Sequence, residues 1–369
     1  MSSEARPPDL LEERCGALSL TPFSTVHFAE PVRASASYPF FDLQDTSTTL
    51  VLCSTPEHPV QCYSLLSSSL VASYPWMDAT TEAFLAPHAL TFSPDGSTFV
   101  AGSKKSVGIF DVSRPGEGPI NDFQTVSKRK TRSTATTMAV KGIVSALSID
   151  PSSGILVAGT FSRQVGLYDA RGQGACLGVF KVSQNAADCR IGGHGITQVS
   201  WSPSGRYLYV TERCSDGVMI YDIRKTGQLV SWLEDRNAHT NQRLAIDIPD
   251  SCATDEAQEI WAGGTDGNVR MWRNCHSQEG GHRPQGVWHA HAGKNCIYSC
   301  YHKFSLTLQS ATISSALVHR SGSVIATCSG QRRVKTLVDE IDTSDADNMR
   351  GDHATNNDNS ENSLKIWAL

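Results

Sequence analysis

ITQVSWSPSGRYLYVTERCSDGVMIYDI, residues 196–223, is the stretch on which the reading of this chain turns. It opens on an alternating apolar run and breaks at Ser-Pro-Ser-Gly. A second apolar stretch carries it to Ser-Asp-Gly, and a third ends on Ile-Tyr-Asp. Alternation with a period of two marks a strand with one face turned to a core, and Pro/Gly punctuation between such runs marks hairpin turns. The pattern returns in LTFSPDGSTFVAGSKKSVGIFDV (90–112), VSALSIDPSSGILVAGTFSRQVGLYDA (144–170) and ISSALVHRSGSVIATCSG (313–330). The aromatic that closes the third strand recurs at Tyr63, Phe110, Tyr168, Tyr221, Trp272 and Trp367, with one long interval before the last.

The regular intervals run a little above the roughly 40–45 residues of a WD-repeat blade. With short strands and tight turns, they predict an all-β fold, a WD-repeat β-propeller with long loops, and exclude helical solenoids. His194, in Gly-His before the strand at 196, and Asp216 and Asp266, in SDG and TDG turns, fit the blade residues that pin strands by hydrogen bonds, so they read as structural. Trp201, Trp261, Trp272 and Trp367 stand in strands and read as blade core.

Composition agrees with a globular chain. Of 369 residues, 39% are hydrophobic and 19% charged, and the apolar runs are too short for a membrane helix. The net charge is −5, so a nucleic-acid surface has to be a local patch. The N-terminus, MSSEARPPDLLEER, is acidic and has no apolar core of a secretory signal, and the 11 cysteines, odd in number and irregular in spacing, read as reduced thiols. Two stretches break the repeat. Residues 339–363 are acidic and Asn-rich and read as a disordered loop within the last blade. Residues 293–309, GKNCIYSCYHKFSLTLQ, interrupt the approach to the strand at 313. Their codons can hold splice-donor, branch-point and acceptor sequences, so the stretch reads as intron-derived.

HALTFSPDGSTFVAGSKKSVGIFDVSRPGEG (88–118), KGIVSALSIDPSSGILVAGTFSRQVGLYD (141–169), GITQVSWSPSGRYLYV (195–210), TNQRLAIDI (240–248) and SVIATCSGQR (323–332) together resemble the telomerase Cajal body protein family. The chain reads as a fungal-type member of it. The resemblance covers most of residues 38–332, and SRPG, TNQR and ATCSGQR are its specific motifs. It implies a seven-bladed propeller and a non-enzymatic scaffold. Such a scaffold escorts small nuclear and Cajal-body-type RNAs of the H/ACA class, in animals also telomerase RNA, together with ribonucleoprotein core proteins, in the nucleus. PPDLLEER looks like the segment that follows the first propeller strands in this family. Residues 1–37 are therefore expected to form a partial first blade, with the remaining blades in 38–369.

Four cations in five residues, Lys128, Arg129, Lys130 and Arg132, sit between two blades, where they can neutralise phosphates or serve as an import signal. Lys104, Lys105, Arg163, Arg213, Arg243 and Arg332 recur after second strands or at blade starts, so several are expected on one rim. Arg243 and Arg332 also lie inside the family-like motifs. RNA loops are read by stacking on Arg and aromatic planes, which suits such a rim. The His/Cys concentration at Cys275, His276, His282, His289, His291, Cys296, Cys300 and His302 has no closed metal-ligand spacing, so no metal is expected. Cys328 reads as a small core residue. No phosphate loop, HExxH or GxSxG is present, and GQGACLG (172–178) reads as a turn, so neither an enzyme nor a cofactor is expected. The competing reading is a protein-interaction propeller that holds no RNA.

Overall fold

The computed structural model describes residues 22–126, 139–249, 258–291, 311–330 and 363–369. Over these it forms six sheets in chain order, each built outward from its first strand and antiparallel apart from one strand added to the fourth. The first sheet contains β1 (Ala34–Ser37), β2 (Leu50–Ser54), β3 (Val60–Ser64) and β4 (Ser69–Tyr74); the second contains β5 (Ala89–Phe92), β6 (Thr98–Gly102), β7 (Ser106–Asp111) and β8 (Asn121–Gln124). The third contains β9 (Val144–Ile149), β10 (Leu156–Thr160), β11 (Gln164–Tyr168) and β12 (Cys176–Lys181). After the short helix α1 (Ala186–Ile191), the fourth is β13 (Ile196–Trp201), β14 (Tyr207–Glu212), β15 (Val218–Asp222) and β16 (Gln228–Leu233). The fifth uses β17 (Ile246–Asp247), β18 (Glu259–Gly263) and β19 (Asn268–Arg273). Its chain then lays β20 (Gly280–His282) parallel on β16, covering the outer edge of the fourth sheet, before returning as β21 (Gly286–His289). The sixth is β22 (Ile313–Val318), β23 (Val324–Ser329) and β24 (Ser363–Ala368).

All six aromatic markers fall in third strands, at Tyr63 (β3), Phe110 (β7), Tyr168 (β11), Tyr221 (β15), Trp272 (β19) and Trp367 (β24). At Tyr63, Tyr168 and Tyr221 the register against the fourth strand shifts by a bulge at the same place in the repeat. A bulge bends the outer strand and increases its twist, which turns each blade. The hairpin turns behave as their residues require. Gly96 and Gly205, last in SPDG and SPSG, both hold φ +68° and donate their N–H to Ser93 and Ser202. A side chain at either is strained by the backbone and obstructed, by the Tyr38 ring at Gly96 and by the Asp150 carboxylate at Gly205.

What holds the sheets together is apolar burial between neighbours. Five clusters of buried residues lie between successive sheets, from first and second (Leu52, Val60, Phe99, Phe110) through to fifth and sixth (Trp261, Val269, Ile313, Ile325). A strand sandwiched on both faces reads as nearly all apolar, as in β7 and β15. Polar bonds supplement these cores near the axis. The Gln198 amide in β13 pairs with both backbone groups of Ile246 in β17, and Ser145 in β9 donates to Ile196 O.

Six blades stand among the described residues, and no seventh. β1, with the small residues ASAS and no aromatic signature, is the inner strand of the first sheet, and the other three strands of that sheet follow residue 37. The sheet with fewer strands is the sixth, with three among the described residues. The connection before β13 holds α1, because Asn185 caps the Asp188 N–H and Gly192 (φ +66°) ends it. The insertion at 293–309, and the acidic loop at 339–363 apart from Ser363, lie outside the described residues. No helix among those residues is long and apolar enough to cross a membrane.

Candidate functional site

The loops between second and third strands and the segments that approach first strands meet on one face. Backbone bonds join them: Val144 to Ser103, Phe161 to Ile143, Arg213 to Gly195, Cys214 to Thr240, Thr265 to Asn237 and Ile313 to Gly264. This topology brings Lys104, Lys105, Arg163, Arg213 and Arg243 to that face. Lys128, Arg129, Lys130, Arg132 and Arg332 lie outside the described residues. The segment carrying the first four leaves and rejoins the face at Thr125 and Val140, which bond to each other there.

These cations are not equivalent. Lys104 and Lys105 are exposed. Arg163 is committed within the protein. It grips both oxygens of Glu212 (2.8 and 2.7 Å) and Asp188 at 2.6 Å, tying the third sheet to the fourth. Burial works against its charge, but the two carboxylates outweigh burial and its pKa rises. Arg213 and Arg243 have no carboxylate partner among the described residues. Arg213 donates Nε to His194 O at 3.1 Å and sits 4.7 Å above the Phe161 ring. Arg243 donates Nη2 to His88 O at 2.9 Å and lies 5.9 Å from the same ring. Arg243 leaves the approach to the fifth sheet and reaches the approach to the second, so it spans the mouth of the central channel. With Leu244 and Ala245 it joins the inner strands of the first four sheets in lining a cavity of about 330 Å³. Partial desolvation there lowers the Arg243 pKa, and burial followed by Arg33, Arg243 and Lys104 lowers that of His88.

The residues read as structural divide. Asp266 accepts a two-pronged pair from Arg270 and bonds from Asn237 and Asn268. Burial opposes its charge, yet these donors bring its pKa down to about 2. Asp216 accepts from Ala238 N–H and faces the His239 ring at 3.5 Å. His194 is exposed, and its backbone rather than its ring engages Arg213. The ring that pins strands deep in a blade is His291, fully buried, which bonds Thr327 Oγ1 at 2.8 Å. The other described members of the His/Cys group are dispersed: His276 stacks on Tyr207, His282 bonds Gln278 O, His289 bonds Asn268, and burial pushes the Cys275 thiol up to about 12. Cys296, Cys300 and His302 lie outside the described residues. Trp201, Trp261 and Trp272 are buried, as expected of core, while Cys328 is half-buried.

Sequence reasoning missed Phe161, His88 and Arg236. Phe161 had a signal, since TFSR places an aromatic at the repeat position of Lys104. Arg236 had none. Its fully buried guanidinium donates to the carbonyls of Gly263, Leu244 and Ala245 and holds the approach to β17; burial, then Arg270, lowers its pKa to about 10.

Comparison with known proteins gives this geometry a setting. Residues 188–222, most of the fourth blade, match the family described as WD domain, G-beta repeat. Guanine nucleotide-binding protein negative regulator 1 of Schizosaccharomyces pombe is 31% identical over 72% of this chain and 63% of its own length. Telomerase Cajal body protein 1 of Mus musculus is 28% identical over 72% of this chain and 46% of its own, and that of Homo sapiens 27% over 80% and 46%. The chain is a WD-repeat protein related to the telomerase Cajal body proteins. It spans about half the length of those relatives. Two solved structures share the fold at 13% identity: "Structure of U3-55K" (TM-score 0.54, covering 82% of this chain and 76% of that one) and "Crystal structure of RRP9 WD40 repeats" (0.55, 82% and 74%). In this WD-repeat propeller, the rim that carries Arg213 and Arg243 also carries the TNQR motif, on the approach to the fifth blade.

Proposed function

We propose that this propeller is a non-enzymatic RNA-protein adaptor whose basic face binds small nuclear or Cajal-body-type RNA of the H/ACA class, and that it works in the nucleus beside ribonucleoprotein core proteins. The observation that carries the reading is the placement of Lys104, Lys105, Arg213 and Arg243 on one face without carboxylate partners among the described residues, in a chain of net charge −5. Local positive charge of this kind attracts phosphates, and propeller loops are where binding residues concentrate. The relation to Telomerase Cajal body protein 1 supports the class of RNA and the nuclear setting. The cationic segment Lys128, Arg129, Lys130 and Arg132, together with Arg332, belongs to the same proposed surface. Arg163, paired with two carboxylates, contributes to it by position rather than by free charge.

Crosslinking and sequencing of RNA bound to the tagged protein tests this, beside a Lys104→Glu, Lys105→Glu, Arg213→Glu variant. Enrichment of small nuclear or guide RNAs, lost in the variant, supports the reading. Background RNA in both overturns it. The second reading, a protein-interaction propeller, draws on the name of the S. pombe relative, a negative regulator of a guanine nucleotide-binding protein. A stable set of co-purifying proteins without RNA would select it.

A further inference from the structure

The mouth of the channel holds more than charge. Phe161 leaves β10 half-buried, with the Arg213 guanidinium 4.7 Å above its centroid and the His88 ring meeting it edge-on (6.3 Å, 77°). Each arginine is held from behind by one carbonyl, Arg213 by His194 and Arg243 by His88, so its remaining N–H groups stay available in a fixed position. Glu212, next to Arg213 in the chain, and Asp188 are already taken by Arg163. Arg243 also lines the roughly 330 Å³ cavity, together with small side chains such as Ala34, Ser35, Ala89 and Ser145.

A guanidinium lying over an aromatic ring offers a flat, cationic outer surface to a second π system. An unpaired nucleobase fits that surface, and a neighbouring guanidinium fork fits the phosphate attached to it. An acidic peptide uses the charge but leaves the plane idle, and a duplex hides its base faces in its own stack. We infer that Arg213, Phe161 and Arg243 form a subsite for one unpaired nucleotide of single-stranded RNA, its base against the Arg213–Phe161 column and its phosphate on Arg243. This rests on the RNA-binding reading above and says where, and in what form, the RNA is held.

The test uses the full chain and two fluorescent probes of equal length, an oligouridylate of about a dozen nucleotides and its abasic ribose-phosphate counterpart, followed by anisotropy over a salt series. Phe161→Leu, which keeps apolar volume without the ring, is expected to weaken oligouridylate about tenfold and leave the abasic strand unchanged, while Phe161→Tyr restores binding. Arg213→Lys, which keeps the charge and removes the plane, is expected to do the same as Phe161→Leu, and keeps the test decisive where the Leu variant folds poorly. Arg243→Gln is expected to flatten the salt slope for both probes by about 0.7. Equal binding of oligouridylate by wild type, Phe161→Leu and Arg213→Lys overturns the subsite. So does an equal loss on both probes. If Lys104→Glu, Lys105→Glu still weakens both strands in that case, the RNA-binding reading survives alone. Failure of the wild-type chain to bind either probe overturns both.

Discussion

Trp367 and His291 meet on a single hydroxyl: Thr327 Oγ1 lies 2.9 Å from the indole Nε1 and 2.8 Å from the imidazole Nε2. The indole can only donate, so the hydroxyl accepts from Trp367, and its own proton is free to turn to the imidazole. Ser363 Oγ stands 3.2 Å from the other ring nitrogen. Third strand, second strand and the approaching loop of the sixth blade are thereby joined in its interior. Thr327→Val keeps the shape and removes both of these bonds, leaving the partly buried indole N–H without its acceptor, so it is expected to cost about 1–3 kcal/mol in urea denaturation. Combined with Trp367→Phe, the loss should fall short of the sum of the single losses.

Arg163 and Arg213 occupy neighbouring loops of one face with opposite duties. Arg163→Gln leaves Glu212, with its side chain 1% exposed, without its cation, and is expected to destabilise the chain by roughly 2–4 kcal/mol. Because that charge is already neutralised, the salt slope of RNA binding should not move. Arg213→Gln should lower the slope with little change in the urea midpoint. Denaturation and anisotropy on the same two variants check the contrast.

The Asp266 carboxyl holds a pKa of about 2 in the folded chain against an ordinary 3.8. A folded value below the unfolded one means that the unfolded chain binds the proton first as pH falls. The stabilisation is therefore complete above about pH 5 and is lost as the pH drops through the ordinary carboxylate range toward the folded value. With partial solvent screening it amounts to on the order of 1 kcal/mol. Wild type minus Asp266→Asn, followed by urea midpoints across this window, should lose its difference at the acid end.

Gly205→Ala forces a side chain onto a φ of +68° and toward the Asp150 carboxylate at 2.9 Å. Gly96→Ala does the same against the Tyr38 ring. Each is expected to lower stability by roughly 1–3 kcal/mol, read as a lower thermal midpoint. Gly116→Ala, with a φ of +84° and open space, carries only the backbone strain and should lose less.

Much of this architecture was legible because it is local. Alternation in ITQVSW, the SPSG turn and the closing Ile-Tyr-Asp each depend on residues within a few positions, and all six aromatics chosen as third-strand endings stand in third strands. The convergence of Lys104, Arg213 and Arg243 on one face was legible for a related reason, since the loops after second strands and the segments that approach first strands lie on the same side of every blade. What was not legible crosses blades. Nothing in ASAS at 34–37 announces a strand, because its partner is found at Leu50–Ser54 and its burial comes from the second sheet.

The sequence by itself determined the repeating blade, its turns and the side of the propeller on which the cations gather, because strand alternation and glycine geometry are settled between near neighbours. Only the tertiary structure decided which of those cations are paired with a carboxylate. Arg163 met Glu212 from 49 residues away and was neutralised, whereas Arg243 met a backbone carbonyl 155 residues away and was not. Pairing between charges depends on distances in space, and the closure of one blade against the next sets those distances.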